Sequence, residues 1–389
     1  MSCQRLGWVC AWLALSAAAH AQDAGPLPPP AALLPPTAPD ALPPPPPLLD
    51  VPAVVPSDGS PPASPVVPPI APLSPAAGVG AGGAGGMGLL FSPVVGQVPV
   101  AVSYRAADFF SAPVKNQDTT LGYLEQDFSL LTPIWQCATD ELSGHVRVAD
   151  QAYFTHAVLP DTQQRFPSEL WNVQMGGNYR HLYDNGWIAG GGVSVGSASD
   201  KPFHGLDEMS VSANASLRVP SGEHNAWIFS LNMSSNSQVL PFVPIPGIAY
   251  FYAPGPSFQA LIGFPFASAT WRPTDDLTFQ ATYALLTTFH GRVYYRLARP
   301  LSLYAGIDFE NQNWYRVGRA DVNDRFFYYD DRLTGGLQLF LSRRAVFDLS
   351  AGYAFDRFYF EGTNSTSQNF NRIDVGDGAF VAASFRLRF

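Results

Sequence analysis

Apolar and polar positions alternate with period two through most of the chain beyond about residue 98. In the stretch 301–311, Leu301, Leu303, Ala305, Ile307 and Phe309 share one face, while Ser302, Tyr304, Gly306, Asp308 and Glu310 share the other. The stretch 277–289 sets Leu277, Phe279, Ala281, Tyr283 and Leu285 against Thr278, Gln280 and Thr282. In 169–182, Trp171, Val173, Met175 and Tyr179 oppose Asn172, Gln174, Asn178 and Arg180. The last segment counts back from Phe389 through Leu387, Phe385, Ala383 and Val381, against Arg388, Arg386, Ser384 and Ala382. Successive strand side chains point to opposite faces, so each segment predicts a strand with one apolar and one polar face. Strand cores read this way fall near 99–110, 119–135, 142–153, 169–182, 187–198, 208–219, 225–236, 257–272, 277–289, 291–298, 301–311, 327–341, 345–361 and 378–389. That is about fourteen strands, with twelve as the lower count.

Alternation alone suits a soluble sandwich as well as a membrane barrel. The connections separate the two. Short ones at Asp184-Asn185-Gly186, Ser221-Gly222, Thr274-Asp275-Asp276, Arg299-Pro300 and Arg343-Arg344 suit tight hairpins. They alternate with longer polar or irregular segments at 154–168, 199–207, 237–256, 312–326 and 362–377, the link at His290 excepted. Sorting of short and long connections by parity is the arrangement of an up-and-down transmembrane barrel. Past the leader no apolar run is long enough for a membrane helix. Hydrophobic residues are nonetheless 47% of the chain and aromatic residues 13%. Hydrocarbon tolerates no unpaired backbone, so a closed, all-β antiparallel barrel of 12–14 strands over 98–389 is the expected architecture. Trp135, Trp171, Trp187, Trp227, Trp271 and Trp314 all fall near predicted strand ends, where amphipathic rings form an interfacial girdle together with Phe389.

Met1 to Ala21 reads as a cleaved secretory signal: Arg5 supplies the basic start, an apolar run follows, and Ala19-His20-Ala21 is the cleavage site. Cys3 and Cys10 leave with it. Cys137 then stands alone, which excludes an internal disulfide and a cysteine metal site. Residues 22–97 form a Pro/Gly-rich segment, with a proline run from Pro43 to Pro47 and glycines from Gly78 to Gly88. Proline fixes φ and removes donors, so this segment is expected to be extended and without a core, a periplasmic linker. The formal net charge of −9 argues against a nucleic-acid partner.

The polar faces carry the candidate chemistry. Arg180, Arg218, Arg272, Arg292 and Arg296, with Asp308, Glu310, Asp348 and Asp356, are the predicted pore-lining residues. Charge inside a membrane barrel requires water or ion pairing. Two interiors satisfy that: a water-filled pore with charged walls, or ion pairs bridging a closed lumen. Catalysis has less to build on. His145, His156, His181, His204, His224 and His290 are scattered without metal-ligand spacing, and no nucleophile elbow is present. Gly190-Gly191-Gly192 lies mid-strand and is no phosphate loop. No catalytic residue, cofactor or metal site is predicted.

A final strand ending on an aromatic residue at the C-terminus resembles the signal that the assembly machinery of bacterial outer-membrane barrels reads. With its leader and proline-rich lead-in, the chain resembles uncharacterised bacterial outer-membrane β-barrel families of porin-like type. The resemblance implies a barrel in the outer membrane of a Gram-negative-type bacterium, in contact with outer-membrane lipid and the assembly machinery. It implies passive diffusion of small polar solutes and no enzymatic activity. The alternative is a closed structural or surface-binding barrel whose proline-rich arm reaches peptidoglycan or a periplasmic protein, with a barrel enzyme as a third reading.

Overall fold

A computed structural model describes residues 92–389, apart from Val239, residues 285–287 and Ser367. The expected signal peptide, and the Pro/Gly-rich segment up to residue 91, lie outside the described residues.

The chain forms one continuous antiparallel sheet that closes on itself. Its strands are β1 (Ala101–Pro113), β2 (Thr120–Gln136), β3 (Asp140–Thr155), β4 (Glu169–Leu182), β5 (Ile188–Ser199) and β6 (Met209–Pro220). Then come β7 (Ala226–Ser234), β8 (Ile245–Gly255), β9 (Phe258–Phe264), β10 (Phe266–Trp271), β11 (Leu277–Ala284) and β12 (Thr288–Ala298). The wall is completed by β13 (Leu301–Trp314), β14 (Arg325–Phe340), β15 (Ala345–Gly362), β16 (Phe370–Val375) and β17 (Gly378–Arg388). β16 pairs with one half of β15 and β17 with the other, so these two are a single interrupted strand and the wall has sixteen. Pairing of β1 with β17, from Ala101↔Arg388 to Phe109↔Phe380, closes the barrel and leaves no sheet edge.

The architecture is the expected one, with sixteen strands in place of twelve to fourteen. One addition is β8, which lies inside what reads as the 237–256 loop because Pro246 and Pro254 interrupt its apolar run. The other comes from 257–272, where the chain reverses at Pro265 and pairs β9 with β10, Leu261 opposite Ser268. Ala101 and Phe389 lie at one end of the barrel, called here the near end. The connections there are tight: Gly186, with φ +80°, turns β4 into β5, and Gly222, with φ +83°, turns β6 into β7. The residues after β3, β5, β7 and β13 form the longer segments of the far end.

Apolar side chains face outward along the whole wall. Val193 and Ile262 are each 63% exposed and Met175 60%, with Leu231, Leu303, Leu333, Leu349 and Val381 at similar depth on other strands. Trp135, Trp187, Trp227, Trp271 and Phe389 lie exposed at the near end, and Phe110, Phe154, Phe264, Tyr283, Phe309 and Tyr353 lie exposed nearer the far end. Trp171 is half-buried at the far-end start of β4. Trp314 departs from the expected girdle. It is 2% exposed, because it shares the inward face of β13 with Asp308 and Glu310 and packs in the lumen core.

Candidate functional site

The inner faces do not line an open tube; from β13 around through β17 to β4 they meet in a packed core. Phe109 stacks on Tyr123 at a centroid distance of 4.3 Å and on Phe380 at 4.8 Å. Tyr328 stacks on Tyr359 at 4.4 Å, and the hydroxyls of Tyr123 and Tyr328 are 3.0 Å apart. The segment after β3 folds in over this layer. Ala157, Leu159 and Phe166 are buried in it, and Phe166 lies 5.0 Å from both Tyr153 and Tyr359. Rings in these offset and edge-on arrangements fill space that water would occupy in an open pore.

Toward the near end, a belt of ion pairs underlies the aromatic layer. Arg105 pairs with Glu125, Arg147 Nη2 with Asp127 at 2.5 Å, and Arg332 Nε with Asp330 at 2.6 Å. Arg332 also sits over the Phe109 ring at 4.7 Å, joining the two layers. Arg332 and Asp330 are buried, which is tolerable because they are paired, whereas Arg105, Arg147 and Asp127 keep part of their surface exposed.

The far end is closed by contacts that cross the opening. Tyr315, just past β13, forms a parallel bridge with Ser199 at the end of β5, on the opposite wall. Its N–H donates to the Ala198 carbonyl at 2.8 Å, and its hydroxyl donates to the Ser235 carbonyl at 3.1 Å. Arg319 reaches Glu208 at 2.7 Å, and Arg316 pairs with Glu361 at 2.5 Å. Burial raises the Tyr315 phenol above its ordinary pKa, so the bridge is neutral.

A second seal lies at the near end. Residues 92–98 are docked against β2, β3 and β4. Arg180 donates to the carbonyls of Ser92 at 2.9 Å and Val94 at 2.6 Å while its Nε holds Glu141 at 2.5 Å. Glu141 in turn accepts the Gly96 N–H at 2.7 Å, and Val98 N–H donates to Gln136 Oε1 at 3.1 Å.

The predicted pore-lining residues are dispersed among these layers. Arg180 belongs to the near-end seal. Arg292 Nη2 pairs with Asp308 at 2.6 Å, and Asp308 and Glu310 are both buried. Asp348 accepts from the Tyr304 hydroxyl at 3.0 Å. Arg218 is buried over the Phe251 ring, 6.0 Å from its centroid, with no carboxylate within ion-pair distance among the described residues. Arg296 is exposed, and Arg272 sits past the end of β10 in a near-end turn. Asp356 is not a lumen residue. A bulge in β15 gives it φ +50° and turns it outward, and the inward position passes to Arg357, which is buried. Arg332, Asp330, Glu125, Arg357 and Glu141 are functional-face residues that the sequence reading did not single out. Of the scattered histidines, His156 and His204 are exposed in far-end segments, with no nucleophile hydrogen-bonded to either ring among the described residues.

No family model and no curated protein sequence matches the chain. Among solved structures it is similar to an outer membrane channel from Pseudomonas putida F1, at 11% identity over 77% of this chain and 98% of that one, with a TM-score of 0.34. It is similar to OccK7 of Pseudomonas aeruginosa at 8% identity, 75% and 100% coverage and a TM-score of 0.34. A mutant porin of Rh. blastica matches at 9% identity, 75% and 99% coverage and a TM-score of 0.33. At such values these likenesses do not bear on what the chain does.

Proposed function

We propose that this protein is a porin-like barrel of the outer membrane whose conduit is held shut by its own interior. The membrane assignment is supported by the unbroken outward apolar surface and the two levels of exposed aromatics, which a water-facing barrel would not sustain. The leader read at 1–21 and the terminal strand ending at Phe389 fit export and engagement of the assembly machinery. On this reading the near end faces the periplasm, and the proline-rich segment extends toward peptidoglycan or a periplasmic partner.

The observation that carries the closed state is the buried aromatic layer across the lumen. At roughly 1.5–3 kcal/mol per buried ring, wetting half a dozen of them costs on the order of 10 kcal/mol. Thermal motion does not open such a layer. A second reading, slow passage of small polar solutes, is favoured by the inner wall of β5–β7, where Ser194, Ser212, Asn214, Ser230 and Asn232 remain half-exposed. No catalytic role is assigned to the scattered histidines.

Planar-bilayer recording tests the closed reading. The purified protein is expected to insert and stay electrically silent, and a variant with residues 157–167 replaced by a Gly-Ser linker is expected to conduct. Stable stepwise current from the unaltered protein would overturn the closed state in favour of an open pore.

A further inference from the structure

We propose that His290, Asp308 and Glu310 form a binding site for one divalent transition-metal ion of the zinc class, set into the inner wall between β12 and β13. This inference is independent of whether the barrel conducts.

Strand geometry assembles the donors. Asp308 and Glu310 are two residues apart on β13, so both point to the same face. His290 on β12 pairs directly with Asp308 across the ladder, which brings its ring onto that face as well. The donor atoms of the three residues lie within 4.8 Å of one another. His290 Nδ1 is 2.8 Å from Asp308 Oδ1 and 3.7 Å from Glu310 Oε1. Ligands about 2.1 Å from a tetrahedral centre stand roughly 3.4 Å apart, between those two separations.

Glu310 is the independent observation that points to a missing ligand. It is only 8% exposed, and among the described residues no hydrogen bond reaches its carboxylate. The nearest histidine nitrogen is beyond hydrogen-bond distance. Arg332 acts on it only from a distance, forming its ion pairs with Asp330 at 2.6 Å and Glu125 at 3.6 Å. A carboxylate this nearly enclosed, beside Asp308 and with the His290 ring 3.7 Å away as its one ion-pair partner among the described residues, is stabilised by a cation seated between the three. Asp308 is braced for the role: its other oxygen takes Arg292 Nη2 at 2.6 Å, the kind of outer contact that orients a metal-binding carboxylate.

The donor set selects the ion. One imidazole nitrogen with two carboxylates suits zinc and its first-row neighbours, whereas calcium and magnesium favour all-oxygen shells. Three protein ligands leave a coordination position for water. Arg292 is partly exposed and Arg296, on the same face toward the near end, is exposed, which marks a wet approach along β12.

The test uses the whole protein in detergent, stripped with a chelator and titrated with zinc chloride by calorimetry. One ion per chain is expected, and Glu310→Gln and His290→Gln are each expected to weaken binding at least tenfold. His204→Ala, in an exposed segment, is expected to leave binding unchanged. With cobalt(II) in place of zinc, the visible absorption of the bound ion should disappear in Glu310→Gln. That variant replaces a carboxylate without hydrogen bonds by an amide of the same shape, so it keeps the test valid should His290→Gln fail to fold. Absence of binding overturns the proposal, as does binding that survives both site substitutions or is lost in His204→Ala.

Discussion

The two arcs of the wall obey the same strand rules and enclose different interiors. From β13 through β17 and on to β4, inner positions carry Phe109, Tyr123, Tyr153, Tyr328 and Tyr359, all buried, over the buried Arg332–Asp330 pair and the part-exposed pairs of Arg105 and Arg147. From β5 to β7 they carry Gly190, Gly192, Ser194, Ser212, Asn214 and Ser230, which stay half-exposed. Their outer faces do not differ in kind: Val193 and Leu231 on one arc match Leu333 and Val381 on the other. Lipid makes the same demand all round the barrel, whereas the lumen is filled from one side. The contrast teaches that the outward face reports the compartment and only the inward face reports the function.

The largest expected difference between the arcs concerns their buried arginines. Arg332→Ala on the filled arc leaves Asp330 buried without its cation and removes the cation from the Phe109 ring. Breaking one side of a buried pair costs about 3–5 kcal/mol. Arg218→Ala on the other arc strands no carboxylate, and it also removes a guanidinium Nε that has no partner. Denaturant unfolding in detergent micelles is expected to show the full loss for Arg332→Ala and a much smaller change for Arg218→Ala. Equal losses would mean that the charges of the filled arc are solvated.

Bulk added to the two inner faces gives the next effect. Ala107 is buried against the aromatic layer, so Ala107→Leu overpacks a filled space and is expected to cost about 1–3 kcal/mol. Ser230 is half-exposed and faces Gly247 across the ladder, so Ser230→Leu is expected to stay within about 0.5 kcal/mol. The same unfolding series measures both. A comparable penalty at Ser230 would show that the second arc is packed as tightly as the first.

What the sequence made legible divides along the same line. Alternation, the parity of the connections and the terminal Phe389 were enough for a closed antiparallel barrel, because lipid enforces period two on every strand. The count fell short at β8, where Pro246 and Pro254 mimic a loop, and at Pro265, where a reversal hides inside an apolar run. Asp356 read as a lumen residue because one bulge residue inverts the parity of everything after it. Trp314 read as a girdle residue because its place near a strand end was weighed above its parity with Asp308 and Glu310. Asp308 and Glu310 were visible on one polar face, but His290 read as a link between strands, and only the register of β12 on β13 sets it opposite Asp308. The aromatic core was legible least of all, since its members are far apart in sequence and meet only across the lumen.

The filled arc also receives residues 92–98, and a single methyl group tests that seat. Gly96 has φ +75°, a conformation that costs an L-residue roughly 1–2 kcal/mol. A Cβ added there would lie 1.8 Å from the Cys137 carbonyl oxygen, a backbone atom that cannot swing aside. Gly96→Ala therefore forces the segment off its seat, and the Gly96 N–H bond to Glu141 is lost with it. Arg180 and Glu141 keep each other, so the wall is expected to hold while stability falls by about 1–2 kcal/mol. Limited proteolysis at the near end should then cut within 92–98 in the variant and spare the unaltered protein. An unchanged digest would mean that this segment is already free, and that the filled arc ends at its ion pairs.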